Sequence, residues 1–367
     1  MPESNMKNLA GTIIGHSLAL KRNDKVFIDV VGESGPFVKQ LFSQLLLAGT
    51  SPYIRQLSID HLKLLIENND ENQWKHWYDI ESAFYLDVDA YIGIRSENNL
   101  FEFSDIPGVF YERYRKHFLL PLQHRMAELN KWLILKSPGN GLAQIAQMSL
   151  EKYSTIFYRS CNLDYRKLAL KTKPLQERLG QTDRVRIVSP GTDLSFSVKN
   201  IANYFCDGKY NLPDGELFTA PIVDSVEGRI RFNVPTSFMG MQFNDVCLEF
   251  SHGIVTRFQC DKKEQFKKII STDEGASRAG EFGIGLNPYI LRPMNQLLFD
   301  EKMSGSIHIA LGQAYGMAYN GNESAIHWDF VLHQSSEFGG GELYFDDVLI
   351  RKDGKFILPD LAPLNTK

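Results

Sequence analysis

The sequence predicts an α/β fold, α+β overall: an N-terminal α/β/α domain built on a parallel sheet, then a strand-rich C-terminal α+β domain. Three observations predict it. The first half alternates apolar strand-like runs with helical patterns, a β-α-β-α rhythm that produces a parallel sheet covered by helices. Near residue 180 the character changes to short strands, tight turns and glycine. The length, 367 residues, exceeds what one hydrophobic core usually organises, so two domains are expected, 1–180 and 181–367.

The elements follow in order. KVFIDVV (25–31) is a continuous apolar run, as befits a strand buried on both faces. After the GESGP turn, FVKQLFSQLLLAG (37–49) sets Phe37, Leu41, Leu45 and Leu46 at helical spacing and stops at Gly49. SPYIRQLS (51–58) reads as a second strand, IDHLKLLIENN as the next helix, DAYIGIR (89–95) as a third strand and KWLILK (131–136) as a fourth. Residues 109–129 read as helical, with Pro121 expected to kink or split the helix. GESGP is not G-x-G-x-x-G, and no Lys-Ser or Lys-Thr follows it, so no nucleotide signature is present; SPGNG (137–141) reads as a turn and helix start. Residues 150–180 are again helical. RVRIVSPGTDLSFSVKN (184–200) is a strand, a Pro-Gly turn and a strand alternating Leu194, Phe196 and Val198. GRIRFNV, VCLEFSHGIVTRFQC, SIHIALG, IHWDFVLH and GELYFDDVLIRKDGKFIL are strand-like, KDGK (352–355) is a hairpin turn, and EQFKKIIS (264–271) is a helix.

Composition narrows the function classes. Hydrophobic residues make up 43% and charged residues 23%, ordinary for a soluble globular protein. With a formal net charge of −4 and no basic block, nucleic-acid binding is disfavoured. No run approaches the roughly 18 apolar residues of a membrane span. The first twenty residues make a poor secretory signal. Cys161, Cys206, Cys247 and Cys260 match no zinc spacing. A cytoplasmic protein with reduced cysteines is expected.

The chemistry concentrates in the second half. HIALGQAYG and, ten residues on, AIHWDF carry His308, Tyr315, His327 and Asp329 in apolar, strand-like surroundings. On a strand, His327 and Asp329 share a face. Buried charge is costly unless paired, so these groups either satisfy one another or hold an ion. Glu216, in PDGELFTAP, reads on its own as a solvated carboxylate after a turn, and Asp300 and Glu301, in LFDEKMSG, as a surface pair. Glu281 lies in the glycine-rich RAGEFGIGLNP, where glycines either admit a close approach or form a loop. Two histidines with several carboxylates are a donor set for Zn²⁺, Co²⁺ or Mn²⁺, and a mostly carboxylate set suits two ions sharing bridging oxygens.

These stretches carry a family resemblance. VRIVSPGTDLSFSV (185–198), NLPDGELFTAPIVDSVEGRIRF (211–232), GEFGIGLNP (280–288), LFDE (298–301), HIALGQAYG (308–316) and SAIHWDF (324–330) resemble the thermophilic aminopeptidases, the aminopeptidase T and aminopeptidase S type of dinuclear metallopeptidase. KVFIDVV, the AG turn at 48–49 and KWLILKSPGNGLAQIAQMSLEKY (131–153) extend the resemblance over nearly the whole chain. It implies a metalloaminopeptidase with two divalent ions (Zn, Co or Mn), in which a metal-bridged hydroxide attacks the N-terminal peptide bond of short peptides. It also implies a homodimer. Glu216 would bind one ion, Glu281 would bridge, and His308, His327 and Asp329 would complete the shells. Tyr315 would hydrogen-bond the tetrahedral intermediate, and Glu281 or Glu301 would carry the proton. Two features depart from the family. Glu301 stands a couple of residues farther from His308. VLHQSSEFGGGEL replaces Met-Ile-Gly after IHWDF, adding His333 as a substrate contact or a strand-end polar residue. This change motivates an alternative, a metal-dependent hydrolase or tailoring enzyme acting on a non-peptide amide; a third reading is a non-catalytic metal-binding relative.

Overall fold

The computed structural model describes residues 3–96 and 98–365. They pack as two compact units. The first runs to Asn162 and takes back Gly208–Pro213; the second comprises Leu163–Asp207 and the chain from Asp214 onward.

The first unit is the expected parallel sheet. Its strands lie in the order Ser51–Leu57, Lys25–Gly32, Ala90–Ser96, Trp132–Lys136 and Asn211–Leu212, all paired in parallel. Val26, Phe27, Ile28 and Val30 are all buried, which is why that run carries no polar alternation. Pro36–Leu47 buries Phe37, Val38, Leu41 and Leu45, whereas Leu46 faces solvent. Ser58 caps Ile59–Asn68, and an Asp70–Gln73 capping box starts Glu71–Ser82, a helix the pattern reading passed over. Pro121 does split its helix. Gly108–Tyr114 passes through a π-helical turn, Arg115–Leu119, into Leu120–Ala127, so the proline sits in a first turn where its missing N–H is harmless. Inside the sheet Asp29 accepts from the Tyr91 hydroxyl at 2.8 Å and pairs with Arg55 at 3.3 Å and Arg95 at 3.2 Å.

The second unit contains two larger antiparallel sheets. One has eight strands, including the Arg184–Ser189 and Thr192–Ser197 pair joined by Pro190-Gly191. The other has five, in the order His327–His333, Ser306–Gly312, Ala279–Gly285, Glu216–Thr219 and Tyr204–Cys206. Strand alternation divides this second sheet cleanly. Leu217, Phe282, Ile284, Ile307, Ile309, Leu311, Trp328, Phe330 and Leu332 all enter the core on one face. Glu216, Glu281, Gly283, His308, Ala310, His327 and Asp329 fall on the other.

One open alternative is resolved in favour of close approach. The glycine-rich segment around Glu281 is no loop but the central strand of this sheet, buried from end to end. Its glycines are spatial requirements. A Cβ at Gly280 would stand 2.2 Å from the Gly312 carbonyl oxygen, one at Gly283 2.0 Å from His308 Cε1, and one at Gly285 2.2 Å from the Met303 carbonyl oxygen. The strand also bulges at Gly280, because Ala279 opposes Leu311 while Glu281 opposes the next residue along, Ala310.

Candidate metal centre

The polar face of the five-stranded sheet gathers side chains from four strands. Glu216 opens its strand opposite Gly285, and Glu281, Ala310 and Asp329 lie in one cross-strand row. Glycine and alanine between the polar groups leave floor space above the backbone. Glu281 sits at the middle, 3% exposed. Its Oε1 lies 3.1 Å from His308 Nε2, and its Oε2 lies 3.3 Å from His327 Nε2. His308 Nε2 is 3.6 Å from Glu216 Oε2, and His327 Nε2 is 3.6 Å from Asp329 Oδ1. The five residues therefore form two triads, Glu216–Glu281–His308 and Glu281–His327–Asp329, with Glu281 common to both. Within each triad the potential ligand atoms lie within 4.8 Å of one another. The His327 ring is oriented by its Nδ1, 2.7 Å from the Gln313 carbonyl, which turns Nε2 toward the acids.

The electrostatics follow from crowding. Burial works against a charge on His308, but the Glu281 hydrogen bond and the Glu216 charge outweigh it and push its pKa up to about 9. Burial likewise opposes charge on His327, yet Tyr315 and the carboxylates of Asp329 and Glu281 hold it well above its ordinary value. Glu281 is lowered despite its burial, through His308 and His327, and Asp329 falls to about 2, chiefly through His327. The raised histidines and lowered carboxylates share one cause, a concentration of buried negative charge, and such a concentration suits a divalent cation.

Whether these residues suit such a cation is decided by what the protein leaves undone. Glu216 Oε2 and Glu281 Oε2 are buried and make no hydrogen bond among the described residues; what they face is the Nε2 of His308 at 3.6 Å and of His327 at 3.3 Å. Orphaned buried acceptors each cost about 1–3 kcal/mol, more when charged. Two in one place mark atoms held for a ligand. Carboxylate oxygens and imidazole nitrogens are the donors that Zn²⁺, Co²⁺ and Mn²⁺ take, so the residues fit.

Around the triads the sequence reading meets three corrections. Glu216 is buried rather than solvated, and Asp300 is fully buried rather than a surface acid; its carboxylate caps the Met294 and Gln296 backbone N–H groups at 2.6 and 3.0 Å. Glu301 also lies in the interior beside the triads, with its carboxylate on Lys302 and its pKa pushed up by burial to about 8. Tyr315 lies at the edge, about half exposed, its ring 4.4 Å from that of His327. His333, on the same strand as His327, is buried, stacks on Phe338 at 4.4 Å and accepts from the Ser335 N–H. Pattern reading missed Lys302 and the third acidic cluster, Cys206–Asp214–Glu216. The signal for Lys302 was its apolar flanks, Phe299 and Met303, both fully buried.

A model of the thermophilic metalloprotease (M29) family matches residues 2–356, and the chain belongs to that family. Aminopeptidase T of Thermus thermophilus is 34% identical over 153 residues, covering 37% of this chain and 37% of that protein. Aminopeptidase 2 of Geobacillus stearothermophilus is 32% identical over 164 residues, 40% of this chain and 37% of that one. Aminopeptidase AmpS of Bacillus subtilis is 32% identical over 144 residues, 33% and 34%. The matched stretches thus span little more than a third of these relatives. The solved structure of AmpT from Thermus thermophilus superposes with a TM-score of 0.81 at 20% identity, over 97% of this chain and 100% of that one, and so shares the fold.

Proposed function

We propose that this chain is a dinuclear metal-dependent aminopeptidase, removing the N-terminal residue of short peptides, with Glu216, Glu281, His308, His327 and Asp329 as metal ligands. The observation that supports it most is the central Glu281, which offers one oxygen to each of two triads. When bound, two divalent ions would supply a water acidified toward neutrality as nucleophile and a Lewis acid for the scissile carbonyl.

The chain's own residues supply the rest. Glu281 and Glu216 hold negative charge beneath the reacting centre, and a nearby carboxylate outside the donor set suits a free α-amino group, which favours cleavage at the peptide's first bond. The Tyr315 hydroxyl, at the open edge of the site, donates a hydrogen bond to the oxyanion as the carbonyl carbon becomes tetrahedral. A carboxylate, Glu281 or Glu301, carries the proton from the attacking water to the leaving amine. The buried sheet face keeps bulk water away from these groups. Relatives named as aminopeptidases support a peptide substrate over a non-peptide amide. A homodimer and a cytoplasmic location complete the reading.

The test uses chelator-stripped protein assayed on aminoacyl-p-nitroanilides with Zn²⁺, Co²⁺ or Mn²⁺ restored. Metal-dependent release of the N-terminal residue is expected. His327→Ala should lower kcat/KM by at least about 100-fold and abolish binding of one ion, because it removes a ligand rather than a supporting contact. Absence of metal-dependent cleavage with any N-terminal residue would sink the peptidase reading.

A further inference from the structure

Lys302 takes no part in the donor set, yet it is among the most deeply buried charges of the second unit, 2% exposed. Its ammonium donates to Glu216 Oε1 at 2.7 Å and to Glu301 Oε1. The partner oxygen, Glu216 Oε2, makes no hydrogen bond among the described residues and faces His308 Nε2 at 3.6 Å. The two oxygens of one carboxylate are therefore divided: one is occupied by Lys302, and the other is left open toward the Glu216–Glu281–His308 triad. The lysine's backbone is anchored as well. Its N–H donates to the Phe299 carbonyl at 3.1 Å, and its carbonyl accepts from the Asn287 N–H at 2.9 Å. Gly285 lets this segment lie against the site strand, since a Cβ there would come within 2.8 Å of the Lys302 carbonyl carbon.

The third acidic cluster becomes intelligible from the same contact. Cys206, Asp214 and Glu216 bring metal-type donors within 4.8 Å of one another, but the Glu216 carboxylate of that group already carries the Lys302 ammonium at 2.7 Å. A cation already resides there, and it is a side chain.

We propose that Lys302 is a positioning residue: it fixes Glu216 as a one-oxygen ligand through Oε2 and fills the Cys206–Asp214–Glu216 cluster with its own charge, confining metal to the two triads that share Glu281. This rests on the metal-centre reading above. Without the ammonium, Glu216 is free to rotate or chelate, and three donors stand open to an extra ion. Partners that orient a ligand typically change metal affinity 10–100-fold.

Metal titration of stripped wild-type protein, Lys302→Met and Lys302→Arg tests it, followed by calorimetry with Zn²⁺ and by the visible spectrum of bound Co²⁺. In Lys302→Met one of the two ions is expected to weaken 10–100-fold, with a changed Co²⁺ spectrum, while the other binds within about threefold of wild type; an additional weak equivalent of metal should appear. Lys302→Arg, which keeps a cationic donor, should recover most of the affinity. In a Glu216→Gln background the methionine substitution should add nothing further, because its effect passes through Glu216. Should the methionine variant not fold, Lys302→Gln removes the charge while keeping an N–H donor, and the extra equivalent of metal is the expected result. Unchanged affinities, stoichiometry and Co²⁺ spectrum alongside a lowered Tm would make Lys302 a merely structural cation and overturn the proposal. Failure of the wild type to bind metal would instead refute the centre itself, a result seen before any variant is made.

Discussion

At the scale of single residues, the centre depends on what is missing beneath it as much as on its ligands. Gly283 lies across the strand pair from His308, and a methyl group there would occupy the imidazole's place. Gly283→Ala is therefore expected to displace His308. The loss should exceed 10-fold in affinity for one ion and lower the Tm by several degrees, measured by calorimetric titration and thermal melting. His327-x-Asp329 and His308 were legible in the sequence, because alternation on a strand fixes which side chains share a face. Lys302 and Asp300 were not. An Asp-Glu-Lys run reads as solvated, and what buries this lysine is a glutamate 86 residues earlier in the chain. Local pattern contains no trace of a partner that distant.

At the scale of elements, strands and turns announced themselves wherever the hydrophobic period was clean, as in Lys25–Gly32, Ser306–Gly312 and the hairpin turn at Asp353-Gly354, both of positive φ. The central strand Ala279–Gly285 did not, since glycine is a poor strand former by propensity and is here retained for space. The parallel sheet of the first unit illustrates the complementary problem, a charge placed within an apolar strand. Asp29 is buried, and both Arg55 and Arg95 lean on it. Removing it leaves Arg95 without its carboxylate and takes from Arg55 one of its two, the other being Glu81. Asp29→Ala should destabilise the first unit by roughly 2–4 kcal/mol, somewhat below the range for fully buried pairs because Arg95 keeps a quarter of its side chain exposed. Urea denaturation would measure this, and metal binding by the second unit should be unaffected.

At the scale of the whole molecule, stability should depend on pH through a histidine outside the ligand set. His333 is 2% exposed, and its pKa falls to about 4 because burial disfavours the charged ring and Arg351 adds to the effect. An unfolded histidine titrates near 6.5. The unfolded chain therefore binds the extra proton between pH 6.5 and 4 while the folded one does not. Stability from the neutral ring is full above pH 6.5 and declines as pH falls toward 4, by up to about 3 kcal/mol. In stripped protein, the drop in urea midpoint from pH 7 to pH 4.5 should be clearly smaller for His333→Gln than for wild type; an equal drop would assign the pH dependence to other groups. Fold class was readable at this scale because a β-α-β-α rhythm and then a run of short strands leave few topologies. Assembly of the site was readable only through the family resemblance, because its five residues come from four strands spread over more than a hundred positions.

The bulge at Gly280 has a consequence for how this protein can change. The five-stranded sheet works as a two-track tape, with donors on one track and hydrophobic side chains on the other, and Gly280 is the extra residue before Glu281. Removing that one residue would alter no donor, no charge and almost no volume. Because Ala279 already opposes Leu311 and Glu281 already opposes Ala310, its loss would close the bulge and leave both side chains on their present tracks, whereas loss of a paired residue such as Phe282 would shift one part of the strand by a step and carry Glu281 toward the core. Point substitution can tune this centre gradually, but insertion or deletion among the paired residues of its strands would exchange the tracks outright. Length variation in this sheet should therefore be confined to the bulge and to the turns that join its strands.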